Sequence, residues 1–189
     1  FSGSKAFKER DVSSVNFIWA TGGKLSAEYV LEMLKLFPGV RIKTSYGGTE
    51  FCAACSISYN LTPEDVAADP MLLESAGYIG QFVDVRLVDE DGNDVPRGEE
   101  GELWVSSPFV MQGYMDDPEG TAEVLTDGWY HTGDVFYINE KGLFYFLDRI
   151  SAMIKTGGEN VYPNEVESIL RRHEDVLDCA VLALPDAKW

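Results

Sequence analysis

Two short apolar runs near the start of the chain each end in a pair of glycines. The first, VNFIWA at 15–20, precedes Gly22-Gly23, and the second, VRIKTSYGG at 40–48, contains Gly47-Gly48. Runs of this length are typical of buried strands, and the glycines after them predict tight loops. The segment between the runs predicts a helix, which gives the order strand, loop, helix, strand, loop. That order is typical of an α/β sheet, where ligands bind at the carboxyl ends of the strands.

The predicted helix covers 26–37, SAEYVLEMLKLF. Its apolar residues recur at helical spacing and are Val30, Leu31, Leu34 and Phe37. Ser26 is a suitable N-cap, Glu28 lies in the first turn, and Pro38-Gly39 ends the segment. The sequence therefore predicts one amphipathic helix between the two strands.

The middle of the chain changes to a pattern with a period of two residues. From about 82 to 107, FVDVRLVD and ELWVSS alternate on either side of the turn-rich DEDGNDVPRGEEG, which predicts an antiparallel hairpin. A second β-rich stretch at 128–149 carries a turn from Asn139 to Gly142 between aromatic strands. We therefore expect an antiparallel β subdomain after the α/β part.

The last forty residues predict a further unit. In IKTGGENVYPNEVESILRR, at 154–172, a strand and the Gly157-Gly158 loop lead through Pro163 into a helix. The run VLDCAVLAL at 176–184 predicts a returning strand. We place a domain boundary, a hinge, near 149–151, so that 1–149 belongs to a large domain and 150–189 begins a small α+β domain.

Composition excludes several classes of function. The 189 residues carry a net charge of −17 without a cluster of Lys and Arg, so a nucleic acid or an anionic membrane is not an expected partner. The odd number of cysteines (Cys52, Cys55 and Cys179) argues against a disulfide framework and favours a reducing cytosol. The sequence contains no apolar run long enough for a transmembrane segment, and its first and last residues suggest that both ends are cut from a longer chain.

The segment SYGGTE at 45–50 brings several chemical groups together at the end of a predicted strand. A base can stack on Tyr46, a phosphate can approach the backbone of Gly47 and Gly48, and Glu50 can hold Mg²⁺. The alternative is a glycine turn without function, which is commoner for an isolated glycine pair.

Other polar residues keep two interpretations from the sequence alone. Asp134 can accept both hydroxyls of a ribose or be an ordinary turn residue, and Arg149 beside Asp148 can form a plain surface ion pair. The Cys52–Cys55 pair lacks a partner pair for zinc, so we expect small buried residues there. His131 and His173 show no triad or metal-ligand spacing.

The ordered set of blocks is similar to the adenylate-forming superfamily. The blocks are SYGGTE at 45–50, GEEGELWVSSPFVMQGY at 98–114, GWYHTGD at 128–134 and YFLDRISAMIKTGGENVYPNEVE at 145–167. That superfamily comprises acyl- and aryl-CoA synthetases, beetle luciferases and peptide-synthetase adenylation domains. Within it, KTGGENVYPNEVE resembles the CoA-ligase branch, as does Thr44, because peptide-synthetase domains typically carry Asn at that position.

The resemblance implies an acid:CoA ligase that uses ATP, Mg²⁺ and CoA and activates a small-molecule carboxylic acid as its adenylate. The residues it assigns to the nucleotide site are Gly22, Gly23, Lys24, Tyr46, Gly47, Asp134, Arg149, Gly157 and Gly158. Tyr46 would stack on adenine, and Asp134 and Arg149 would bind the ribose.

The resemblance also implies catalytic roles. Thr49 would touch the α-phosphate, Glu50 would position Mg²⁺, and Lys155 lies on the loop that turns toward the site for thioester formation. Glu165 is expected to be structural, and Phe51 to Ala54 are expected near the acyl pocket.

Three departures from the family pattern separate this chain from a complete enzyme. The phosphate loop expected upstream and the catalytic lysine expected downstream are both absent from the 189 residues, and Ser151 stands where the family commonly has Lys or Asp at the hinge. The chain alone is therefore expected to be inactive. The alternatives are a non-catalytic nucleotide-binding module and a luciferase-like adenylating oxygenase. The sequence does not specify the acid or the oligomeric state.

Overall fold

A three-stranded sheet follows the predicted α/β order. The computed structural model describes residues 10–22, 27–52 and 58–185. The strands are β1 (Phe17–Ala20), β2 (Arg41–Ser45) and β3 (Ser58–Leu61), with helix α1 (Ala27–Leu36) between β1 and β2. Strand β2 is central, parallel to β1 and antiparallel to β3. The predicted strand–helix–strand order is confirmed, while the N-cap assigned to Ser26 lies outside the described residues.

A five-stranded antiparallel sheet forms the second layer. Its strands are β4 (Asp84–Val88), β5 (Glu100–Ser106), β6 (Leu125–Thr126), β7 (Trp129–Ile138) and β8 (Phe144–Arg149). Strand β7 is the centre, with β5 along one edge and both β6 and β8 along the other. Both predicted hairpins are confirmed. The turn of the second closes where the Gly142 amide donates to the Asn139 carbonyl over 2.9 Å.

A small hairpin and a helix follow the second sheet. Strands β9 (Ile154–Thr156) and β10 (Glu159–Val161) pair around Gly157-Gly158, both of which have positive φ. Two consecutive left-handed residues are what a two-residue hairpin turn needs, so glycine is required by the backbone alone. Helix α4 (Pro163–Leu170) begins at the predicted proline, with Glu165 in its first turn. The second strand of this hairpin was not predicted.

The remaining described elements are short. They are α2 (Pro63–Ala68), a 3₁₀ helix (Pro70–Glu74) and α3 (Pro118–Val124). Helix α2 begins with a capping box in which the Thr62 hydroxyl and the Asp65 side chain each accept from the other residue's backbone amide. None of the helices in the described ranges has the length and apolarity needed to cross a bilayer.

The predicted strand at 176–184 is wrong, because the described structure contains no neighbouring strand for it. Its backbone groups bond instead to side chains of α4 and of Arg171, the residue directly after that helix. The Val181 amide donates to Glu167 Oε1 over 2.9 Å, and the Cys179 carbonyl accepts from Arg171 over 3.0 Å. Without a sheet to cover them, Leu177, Leu182 and Leu184 are exposed. The expectation of small buried residues also fails at Cys52, which is exposed.

Two clusters of buried side chains hold the layers together. The first is formed by Phe51, Val83, Leu87, Leu103, Val105, Tyr130, Phe136 and Phe144. The second is formed by Val30, Met33, Val40, Ile42, Leu61, Leu72, Leu73, Leu143 and Tyr145. Tyr145 of β8 and the adjacent Leu143 belong to the cluster that packs against β2 and β3 of the first sheet. Phe51, which follows β2, belongs instead to the cluster formed by strands of the second sheet. The two sheets are therefore packed against each other, and a cavity lies where they meet.

Candidate functional site

The cavity has a volume of about 380 Å³ and lies at the carboxyl ends of β1 and β2. It is lined by Ala20, Gly22, Thr44, Ser45, Tyr46, Gly47, Leu73, Glu74, Ser75, Ala76, Asp134, Phe146, Arg149 and Asn164. This size falls in the range that takes a small organic ligand. Residues from both sheets and from α4 contribute, so the site exists only when the layers are assembled.

Tyr46 and Asp134 form the best-defined polar contact in the cavity. The Tyr46 hydroxyl donates to Asp134 Oδ2 over 2.5 Å, although the two residues lie 88 positions apart. The Tyr46 ring packs edge-on against Phe136, with a centroid distance of 4.8 Å, and lies 5.6 Å from the ring of Phe51. The ring position is therefore set at both ends, by the core on one side and by a carboxylate on the other.

Asp134 has one carboxylate oxygen that is buried without a hydrogen bond. The residue is 8% exposed, and its Oδ1 has no hydrogen-bond partner within the described ranges. The largely exposed Arg149, its cross-strand neighbour in β8, brings Nε to 3.4 Å from this oxygen. Leaving a buried acceptor unpaired costs about 1–3 kcal/mol. The oxygen is therefore available to the donor of a ligand.

The surroundings of Asp134 act on its pKa in opposite directions. Burial raises the pKa above the ordinary value of 3.8, and the charges of Glu102 and Asp148 add to that rise. The Tyr46 hydrogen bond and the Arg149 guanidinium lower the pKa but do not cancel the rise. Tyr46 itself has a raised pKa, first because it is buried and then because of Asp134, so it stays a hydrogen-bond donor at neutral pH.

The raised pKa of Asp134 predicts a pH dependence of stability. Above pH 3.8 the unfolded chain releases this proton while the folded protein still holds it, so Asp134 makes stability fall as pH rises toward the raised pKa. Asp134→Asn cannot titrate, and we expect its free energy of unfolding to fall less than that of the wild type between about pH 4 and about pH 7. Urea unfolding of both proteins across this interval measures the difference. If the free energy of unfolding fell more steeply with pH in the variant than in the wild type, the predicted direction of the Asp134 contribution would be wrong.

Asp148 fixes the first turn of α4 beside the cavity. This carboxylate is buried and accepts from the backbone amides of Arg149 (2.9 Å) and Asn164 (3.0 Å) and from the Asn164 side chain (2.8 Å). The surface ion pair considered for Asp148 and Arg149 is therefore wrong, because the guanidinium faces Asp134 instead. Asn164, which sequence analysis did not assign to the site, is placed in the lining by these bonds.

Thr44 adds a second unpaired polar atom to the lining. Its residue is buried, and its Oγ1 has no hydrogen-bond partner within the described ranges. The hydroxyl can donate as well as accept, so it can pair with either edge of a heterocyclic base.

Glu50 lies just outside the cavity lining. Its Oε1 accepts from the Tyr114 hydroxyl over 3.2 Å, and its backbone carbonyl accepts from the Met111 amide over 2.6 Å. A Cβ at Gly48 would come within 3.0 Å of Glu50 Oε2 and 2.8 Å of the Phe51 ring, so the carboxylate lies over the glycine backbone beside the cavity. Thr49 is exposed and does not line the cavity.

Glu50 is a single carboxylate, so it can hold a cation only together with the phosphate oxygens of a bound nucleotide. Among the described residues, no group of three or more His, Cys, Asp or Glu side chains is arranged so that it could hold a metal ion. Mg²⁺ is usually held by one or two carboxylates plus the phosphates of its nucleotide. A single carboxylate at the cavity edge fits that arrangement, in which the cation would neutralise phosphate charge.

The structure separates the other predicted residues from this cavity. Lys155 forms an exposed ion pair with Glu90, at the tip of the β4–β5 hairpin, and Gly157-Gly158 form the β9–β10 turn. None of these three lines the cavity. Phe51 is in the core instead of the lining. Gly23, Lys24, Ala53 and Ala54 lie outside the described residues.

A comparison with known protein families identifies the family of this chain. The model of the AMP-binding enzyme family matches residues 2–115, which is more than half of the chain. The chain belongs to the AMP-binding enzyme family. The sequence-based assignment to adenylate-forming enzymes, and the predicted α/β fold with an antiparallel β part, are therefore confirmed.

Similar proteins within this family include enzymes with different named products. A feruloyl-CoA synthase of Amycolatopsis is 39% identical over 183 residues, which are 97% of this chain and 36% of that protein. The amide bond synthetase of Marinactinospora thermotolerans superimposes with a TM-score of 0.84 at 36% identity, covering 98% of this chain and 36% of its own.

The o-succinylbenzoate CoA synthetase of Bacillus subtilis has been solved with its acyl-adenylate intermediate. It superimposes with a TM-score of 0.80 at 34% identity, covering 95% of this chain and 35% of that protein. The same enzyme with ATP and a magnesium ion superimposes with a TM-score of 0.79 at 32% identity. This AMP-binding chain therefore spans about a third of the length of the relatives it matches.

Proposed function

We propose that the chain is part of an ATP-dependent acid:CoA ligase, which activates a carboxylic acid as an acyl-adenylate and transfers the acyl group to CoA. The observation that carries the proposal is the buried Oδ1 of Asp134, in the cavity that also contains Tyr46: within the described part of the chain it has no hydrogen bond, and the exposed Arg149 guanidinium lies near it, at 3.4 Å. A ribose supplies hydroxyl donors for such an oxygen, and a purine supplies a face for the ring. Relatives that use an adenylate intermediate support the same assignment.

The proposed nucleotide contacts follow the lining of the cavity. Tyr46 stacks on adenine, Asp134 and Arg149 bind the ribose, and the backbone at Gly22 and Gly47 leaves room for close approach. Ribose hydroxyls that donate to Asp134 favour its charged form and so lower its pKa from the raised value of the free site. We propose that Gly23 and Lys24 belong to the loop after β1 that borders the nucleotide.

The proposed reaction needs positioning and charge neutralisation more than covalent help. The substrate carboxylate attacks the α-phosphorus of ATP, the bond to pyrophosphate breaks, and the resulting mixed anhydride carries AMP as a good leaving group. The thiolate of CoA then attacks the acyl carbon and AMP leaves. We assign contact with the α-phosphate to Thr49 and the cation of the nucleotide to Glu50, next to the lining.

The second half-reaction rests on motion about the proposed hinge at 149–151. In the described arrangement Lys155 forms an ion pair with Glu90, and neither Gly157 nor Gly158 lines the cavity. An exposed ion pair contributes at most about 1 kcal/mol, so it does not prevent rotation. We propose that Lys155 and the two glycines reach the site after the rotation, while Glu165 stays structural. The free thiols of Cys52 and Cys179 support a cytosolic location as part of this proposal.

Pyrophosphate exchange in the complete protein tests the adenylation step. We expect labelled pyrophosphate to enter ATP only when a suitable carboxylic acid is present, with aryl and fatty acids as the first panel. Calorimetry with ATP runs in parallel. Binding of ATP without exchange on any acid of the panel would favour a non-catalytic nucleotide-binding module instead.

A second acceptor deserves a direct comparison, because one similar enzyme is an amide bond synthetase. Both reactions share the acyl-adenylate, so exchange alone does not separate them. Mass spectrometry of reactions supplied with CoA, with an amine, or with both distinguishes a thioester from an amide. We expect the thioester to dominate.

A further inference from the structure

The loop between β5 and α3 contacts the Glu50 segment at two points. The Met111 amide donates to the Glu50 carbonyl over 2.6 Å, and the Tyr114 hydroxyl donates to Glu50 Oε1 over 3.2 Å. Backbone and carboxylate are thus held by the same short stretch of chain, more than sixty positions away in sequence. These contacts restrain both where Glu50 lies and how its carboxylate is turned.

Tyr114 is itself held by α3. Its backbone amide donates to Thr121 Oγ1 over 2.9 Å, and that hydroxyl donates to the Asp117 carbonyl over 2.7 Å. A Cβ at Gly113 would come within 2.9 Å of the Thr121 side chain, so glycine lets the loop approach the helix closely. The phenol is therefore presented to Glu50 from a fixed backbone.

A second tyrosine joins this polar cluster from the core side. Tyr130 is buried, and its pKa is raised first by burial and then by a hydrogen bond with Tyr114, with the charges of Glu50 and Asp134 adding to the rise. Glu50, Tyr114 and Tyr130 therefore lie close together, with the Tyr114 side chain exposed and Tyr130 buried.

We propose that Tyr114 is a positioning residue that orients the Glu50 carboxylate toward the cation bound with the phosphates. The inference rests on the proposed function, in which Glu50 receives that cation. Mg²⁺ requires near-ideal octahedral geometry, so a carboxylate that is already oriented loses less freedom on binding. Tyr114 holds Oε1 while Oε2 lies over Gly48, which leaves the carboxylate little rotational freedom. Partners that hydrogen-bond to a ligand residue typically change metal affinity by about 10- to 100-fold.

Mn²⁺ binding to the complete protein tests the role without relying on turnover. Protein saturated with ATP is titrated with Mn²⁺, and free Mn²⁺ is followed by electron paramagnetic resonance. In Tyr114→Phe we expect about tenfold weaker Mn²⁺ binding, with ATP affinity in EDTA unchanged. Tyr137→Phe is the matched control. It removes a phenol hydroxyl from the end of β7 opposite to Tyr130, so its Mn²⁺ affinity should equal that of the wild type.

A double-mutant comparison separates orientation of Glu50 from a general effect on the fold. Once Glu50→Gln has removed the charged ligand, adding Tyr114→Phe should weaken Mn²⁺ binding by less than about twofold. Equal Mn²⁺ affinity in wild type and Tyr114→Phe, with ATP bound in both, would overturn this inference alone. If the wild type bound no ATP with or without Mn²⁺, the proposed function itself would be wrong.

Discussion

In the complete protein, Asp134→Ala is expected to weaken ATP binding by about a hundredfold or more. The proposed ribose contacts are two hydrogen bonds to a sheltered carboxylate, each contributing about 1.5–3 kcal/mol, and about 1.4 kcal/mol corresponds to a factor of ten. The variant also leaves the Tyr46 hydroxyl without its acceptor. Calorimetry with ATP and with AMP measures the loss, which should be similar for both nucleotides because they share the ribose.

Two further variants make this result interpretable. Asp134→Asn keeps the shape of the side chain and one acceptor, so its affinity should lie between those of wild type and Asp134→Ala. Asp84→Ala removes an exposed aspartate at the beginning of β4 and should bind ATP like the wild type. An Asp134→Ala protein that is folded by circular dichroism and binds ATP within threefold of the wild type would rule out the ribose assignment.

The largest stability effect is expected at Phe136. This side chain is fully buried, and its ring makes edge contacts with Tyr46 at 4.8 Å and with Phe146 at 5.5 Å. Phe136→Ala is expected to lower the free energy of unfolding by about 3–5 kcal/mol, because a cavity remains where the two layers meet. Proteins retain only about 5–15 kcal/mol of net stability, so such a loss is a large share of it. Urea unfolding followed by circular dichroism measures it.

Phe109 provides the matched control for Phe136. It lies in the loop after β5 with half of its surface exposed, so Phe109→Ala should change the free energy of unfolding by about 0.5 kcal/mol or less. Phe136→Leu refills part of the cavity and should fall between the two. A Phe136→Ala protein as stable as Phe109→Ala would mean that the layers do not pack through this ring. We expect Phe136→Ala to lower nucleotide affinity as well as stability, because the Tyr46 ring packs against Phe136. Phe109→Ala should leave nucleotide affinity unchanged.

The cavity explains why some predicted residues meet and others do not. Gly22, Tyr46 and Gly47 follow β1 and β2, and the parallel pairing of these strands brings their ends to one edge. Asp134 and Arg149 are paired across β7 and β8, a register that the sequence patterns did not specify. Lys155 lies in β9, part of a separate hairpin, and forms an ion pair with Glu90 in the β4–β5 turn instead. Its proposed role therefore requires a second arrangement of the chain.

Local patterns were sufficient where a segment's own neighbours determine its conformation. The helix at 27–36, both antiparallel hairpins and the glycine turn at 157–158 follow from side-chain periodicity and from backbone limits that act within a few residues. The strand predicted at 176–184 was wrong because strand formation depends on a partner that is distant in the sequence. A strand is stable only beside another strand, and nothing in an apolar run says whether one is present.

The sequence by itself determined the strand–helix–strand order of the first sheet, the two antiparallel hairpins of the second and the family, and it supplied the polar residues that we propose bind a nucleotide. Tertiary structure alone decided that Tyr46 donates to Asp134, that Asn164 enters the cavity, and that Glu50 is held by Tyr114. These contacts join residues far apart in the chain. They depend on how two sheets and a helix pack, which is set by the sum of many small burial energies and not by any short motif.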